Sequence, residues 1–132
     1  MTKVAEFATI IVGVCSMDAL AKQALISRNY NHIYAHEMAH KTAGGSFAGA
    51  IAIEKNSDGI PVSGHVPIAM PVLDKRNPQN TIDHANTVIR AALAPSDPSG
   101  QDFKVANQAA RIKMQAMACK TKHQGNRLDV NA

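Results

Sequence analysis

The apolar side chains of this chain recur with a helical period in some stretches and alternate in others, and each change of period predicts a new element. Residues 4–14 form an apolar run rich in β-branched side chains, compatible with a strand or with a buried helix. Residues 16–42 carry Leu20, Ala24, Leu25 and Ile33 at roughly helical spacing. Ser16 suits the N-cap and Asp18 the first turn. A break near Arg28 to Asn31 would divide this stretch into two helices, and Gly44-Gly45 end the second. From Phe47 to Glu54 small and apolar residues alternate, and Asn56-Ser57-Asp58-Gly59 is hairpin turn chemistry. Ile60 to Ile68 is the return strand. Pro61 and Pro67 require it to be short or to lie at an edge. After a connecting loop, Asn77-Pro78 opens a helix with proline in the first turn, where its missing N–H costs nothing. Ile82, Ala85, Val88, Ile89 and Ala92 make its apolar face, and the Ala94–Pro98 segment ends it. Ser99 with Asp102 three residues on is a capping-box pattern. It starts a last helix with Phe103, Ala106, Ala110, Met114 and Met117 on one face, the methionines as core filler. Residues 120–132 are polar and read as a flexible tail.

The predicted class is α+β: a mostly helical domain with one β-hairpin and two C-terminal helices. With 132 residues the chain is one domain's worth, and 45% hydrophobic with 18% charged residues is ordinary for a globular protein. Much of that apolar content is alanine, which predicts close helix packing. The formal charge of +4 is spread out, apart from Arg111, Lys113, Lys120, Lys122 and Arg127. With aromatics at only 4% there is no interleaving for base stacking, so no nucleic-acid partner is expected. The run Phe7–Val14 weakly resembles a signal peptide. It lacks a convincing cleavage site and is too short to span a bilayer, so it reads as an internal packing element. Cys15 and Cys119 sit in no metal-binding or redox spacing and read as two free thiols. They leave the compartment open, with the cytoplasm slightly favoured.

The chemistry lies in His36-Glu37-Met38-Ala39-His40. Histidines four apart on a helix project from one face, and two imidazoles so placed can share a zinc ion at about 2.0–2.1 Å each. In this HExxH pattern the glutamate lies beside a metal-bound water and takes its proton. The bland alternative is a helix with two exposed histidines, although Ala39 and Ala43 beside the motif fit a closely packed helix. Zinc needs a third protein ligand. A histidine six residues beyond the motif is excluded, because that position is Ser46 and the glycine expected three before it is Ala43. His32 shares the helix face but lies about 12 Å from His40 along a straight helix. Glu54 sits beside the turn. His65, at the end of the return strand after Gly64, is the preferred third ligand. His84 is a candidate fourth ligand or a stabiliser of the transition state. Asp97 and Asp102 read as caps, with a bond from either to a ligand histidine as the functional alternative.

The run Ala35-His36-Glu37-Met38-Ala39-His40 with Ala43-Gly44-Gly45, and the later run from Ala91 through Asp97-Pro98-Ser99 to Asp102, resemble the SprA-related family of bacterial proteins. The likeness covers about residues 32–115. It implies a minimal zincin-like domain with an assumed metallopeptidase role. It also implies a third ligand at the glutamate of a Gly-Glu-Val element, which reads Gly64-His65-Val66 here. Replacing a carboxylate by a neutral imidazole would leave a zinc centre with two formal positive charges instead of one.

The leading expectation is a zinc-dependent hydrolase, a metallopeptidase acting on a peptide or protein substrate. In it Zn2+ is held by His36, His40 and His65, and Glu37 is general base toward a zinc-bound water. The alternative is an inactive metal-binding or partner-binding domain that keeps the fold. A third is a helical interaction protein without metal.

Overall fold

The computed structural model describes the backbone of residues 2–131 and the side chains of residues 18–125. Three helices, α1 (Thr2–Gly44), α2 (Pro78–Ala92) and α3 (Gly100–Asn131), accompany a two-stranded antiparallel sheet of β1 (Ala52–Lys55) and β2 (Pro61–His65). This is the expected α+β class. The chain forms two compact units, one of Met1–Ala35 with Ile53–Gly64, the other of His36–Ala52 with His65–Ala132.

In the first unit α1 is continuous, and the break expected at Arg28–Asn31 does not occur. Nothing in that tetrapeptide forces one, since it holds neither glycine nor proline. Asn29, which could compete for the backbone, sends its Nδ2 to the Pro61 carbonyl at 3.1 Å instead. Ser16 lies inside the helix rather than at its start, because no stop signal precedes it: the lone Gly13 costs only about 1 kcal/mol. The run 4–14 is helical rather than extended. Its packing, like the Cys15 side chain, lies outside the described residues. The hairpin turn forms as its residues dictate. Asn56 Oδ1 accepts from the N–H groups of Asp58 and Ile60, both at 3.0 Å, and Gly59 takes a φ of 76°. Pro61 opens β2, where a strand tolerates proline, and is fully buried.

In the second unit Gly44 ends α1, and Gly45, at φ 54°, turns the chain out of it. The crossing is tight: a Cβ on Gly44 would lie 2.8 Å from that of Ala48. The hairpin arms meet again beyond the named strands, where Ala48 bridges Ile68. Pro78 stands at the start of α2 as expected. Asn77 makes no side-chain cap there. Asp74 takes over, its Oδ1 accepting from the N–H groups of Arg76 and Asn77, while its own N–H donates to buried Thr81 at 2.8 Å.

The core of this unit lies between α2 and α3, which pack extensively. It is built from Ala85, Val88, Ala91 and Ala92 on one helix and Ala106, Ala109 and Ala116 on the other. Phe103, Met114 and Met117, expected inside, are exposed at 50%, 69% and 49%. The buried stripe of α3 is rotated by about one residue from the one hydrophobicity suggests. Alanines let the helix backbones approach closely, and side chains as long as methionine would hold them apart. α3 stays helical through the stretch expected to be a tail, as far as Asn131. Cys119 is a half-buried free thiol. No helix among the described residues is long and apolar enough to cross a membrane.

The two stripes make opposite demands on substitution. Ala109→Leu should lower stability by about 1–3 kcal/mol through overpacking. Met114→Gln should change it by less than about 0.5 kcal/mol. Urea unfolding of both variants checks which face is the core.

Candidate metal centre

His36 and His40 lie one helical turn apart near the end of α1, with ring centroids 4.9 Å apart and planes at 76°. Their Nε2 atoms approach to 3.2 Å. The Asp102 carboxylate joins them, with Oδ2 at 3.4 Å from His36 Nε2 and Oδ1 at 3.3 Å from His40 Nε2. Among the described residues these three form the group of side chains arranged to hold a metal ion.

Each member is fixed by local chain chemistry. Residue 95, four beyond Ala91, is a proline with no N–H, so the Ala91 carbonyl in the last turn of α2 lacks its regular helical donor. His40 Nδ1 donates to that carbonyl at 2.7 Å, in a buried bond. His36 Nδ1 lies 3.3 Å from Asp97 Oδ1, in the loop between α2 and α3. Asp102 stands third in α3 and completes the capping box read from the sequence. Ser99 N–H donates to Asp102 Oδ2 at 2.8 Å, and Asp102 N–H donates to Ser99 Oγ at 3.1 Å. The cap pins Oδ2 and leaves Oδ1 toward His40, at a helix N-terminus that favours negative charge.

A carbonyl oxygen only accepts, so the contact of His40 with Ala91 places a proton on Nδ1 and turns Nε2 toward Asp102. His36 meets a carboxylate at each nitrogen, Asp97 at Nδ1 and Asp102 at Nε2, and its proton can sit on either. With that proton on Nδ1, two Nε2 lone pairs and a carboxylate converge with no donor between them. A cation satisfies all three at once. A tetrahedral zinc with bonds of about 2.0–2.1 Å separates its ligand atoms by about 3.3–3.4 Å. The spacings of 3.2, 3.3 and 3.4 Å match that face. With one carboxylate among three donors, a divalent ion would keep one formal positive charge.

Glu37 is 6% exposed and His40 5%. Among the described residues the Glu37 carboxylate enters no hydrogen bond or ion pair. No side-chain oxygen there is both sealed from solvent and unpartnered, so its oxygens reach water. His65, the preferred third ligand from sequence, is exposed at the end of β2 and outside the group of His36, His40 and Asp102. His84 lies outside the group too. Its ring stacks on Phe47 with centroids 3.7 Å apart, and its Nε2 donates to the Ala69 carbonyl at 2.7 Å. His32 is exposed, and Glu54 is exposed and accepts from Ser63 Oγ at 3.0 Å. The signal for Asp102 was present in the sequence as the third residue after Ser99, read first as a cap and alternatively as a partner of a ligand histidine; the structure has it in both contacts.

The model of the SprA-related family matches residues 16–128, and the chain belongs to that family. No curated protein and no solved structure matches it.

Ser99→Ala removes one half of the reciprocal cap. It should lower thermal stability by about 1 kcal/mol, measurable as a shift in the unfolding midpoint of the metal-free protein.

Proposed function

We propose that this member of the SprA-related family is a zinc-dependent hydrolase whose metal is held by His36, His40 and Asp102. The observation that carries the reading is the convergence of two imidazole Nε2 atoms and a carboxylate, each on a side chain held by a second bond that turns the converging atom inward. Two imidazoles and one carboxylate suit zinc. Three protein donors, with no fourth joining them among the described residues, suit a catalytic rather than a closed structural site.

When bound, zinc would act as a Lewis acid, polarising a substrate carbonyl and lowering the pKa of a water to about 7. The chain's own residues supply the rest. Glu37 follows His36 directly, and its carboxylate, which has no partner among the described residues, accepts the proton of the attacking water and returns it to the departing amine. His40 is held at Nδ1 by a main-chain carbonyl, which turns its Nε2 toward the cluster. The substrate class in keeping with this base and metal is a peptide or protein amide.

Elemental analysis of untagged protein tests the reading. About one zinc per chain is expected, lost in His36→Ala, His40→Ala and Asp102→Ala, and kept in His65→Ala and Glu37→Gln. Zinc retained by Asp102→Ala but lost in His65→Ala would restore the ligand set expected from sequence. With zinc bound, Glu37→Gln should reduce hydrolysis of a peptide library by about 10²–10⁴-fold. An unchanged rate would remove Glu37 from the mechanism. A zinc-loaded protein that cleaves no peptide would point to a metal-stabilised binding domain.

A further inference from the structure

The two histidines are not held alike. His40 Nδ1 is bonded to the buried Ala91 carbonyl, which no side-chain substitution removes. Among the described residues His36 Nδ1 has one bond, to Asp97 Oδ1 at 3.3 Å, and that carboxyl side chain is 65% exposed. A neutral imidazole must carry its proton on one nitrogen or the other. Without an acceptor at Nδ1, His36 gains by placing the proton on Nε2, 3.4 Å from Asp102 Oδ2 and 3.2 Å from His40 Nε2, both acceptors. That arrangement satisfies the metal-free cluster and blocks one of its three lone pairs.

We infer that Asp97 is the positioning residue that sets the tautomer of His36, and so keeps the donor triangle ready for a divalent cation. The inference rests on the metal-centre reading above and deepens it. Asp97 holds the proton at Nδ1 and leaves three acceptors facing one another, a repulsion that a cation relieves. The segment 97–102 thereby grips His36 from two sides, Asp97 at Nδ1 and Asp102 at Nε2. Asp97 touches neither His40 nor the reacting atoms, so its effect is confined to one ring.

The test uses the full chain with Asp97→Ala and Asp97→Asn, since Asn keeps a carbonyl acceptor. Nitrogen-15 histidine spectra of the metal-free proteins, at mildly alkaline pH, report each tautomer. The parent and Asp97→Asn should show His36 protonated at Nδ1. Asp97→Ala should move it toward Nε2 protonation with His40 unchanged. Zinc titration against a chelating indicator should show Asp97→Ala weakened about 10–100-fold and Asp97→Asn largely restored. An unchanged His36 tautomer in Asp97→Ala, or zinc affinity equal to the parent's, overturns the inference. A parent that binds no zinc sinks the hydrolase reading alone, because the metal-free spectra still decide what Asp97 does. Matching circular dichroism of parent and variants excludes misfolding as the cause.

Discussion

Two imidazole Nε2 atoms and a carboxylate lie within 3.4 Å of one another, each on a side chain that a second contact holds from outside the cluster. In an interior of low dielectric such an arrangement is unfavourable unless something positive joins it. Most of the surrounding structure reads as the means of maintaining it. The proline after α2 frees a carbonyl for one ring. The loop beyond presents a carboxylate to the other. The first turn of α3 presents a second carboxylate, already fixed by its own backbone. None of these devices is expensive alone.

Charge follows from the same arrangement. A site of three imidazoles would give a divalent ion no anionic ligand, whereas Asp102 would supply one and lower the local positive charge by a unit. The carboxylate does this at the start of a helix, where the aligned peptide dipoles already favour an anion. Asp102 is therefore held by three influences at once: its cap partner, the helix end and the histidines. Side chains under several weak constraints lose less freedom on binding than a free one would, which favours a preorganised centre.

Much of this was legible beforehand, and the rest was hidden for identifiable reasons. Helix spacing placed His36 and His40 on one face, the Asn-Gly-flanked turn announced the hairpin, and Asn77-Pro78 marked the start of α2. Local rules sufficed because each of these features is decided within a few residues. The approach of Asp102 to the two histidines is not local. It lies 62 positions beyond His40, and no spacing rule joins the end of α1 to the start of α3. Gly64-His65-Val66 drew the expectation because histidine announces metal chemistry, whereas an aspartate at a helix start has capping as its first explanation. The face of α3 was misread for a related reason. Hydrophobicity ranks methionine and phenylalanine above alanine, but the space between two closely packed helices selects for small volume. The continuity of α1 through Asn29 likewise depends on a partner 32 residues away.

The same choice of alanine over methionine bears on how the protein meets oxidants. Met114 and Met117 lie outside the helix interface, so conversion to their sulfoxides would add polarity where water already is. The alanine and valine side chains buried between α2 and α3 offer peroxide nothing to attack. Damage at these two thioethers would mark the surface of the protein and leave the packing behind the donor cluster in place.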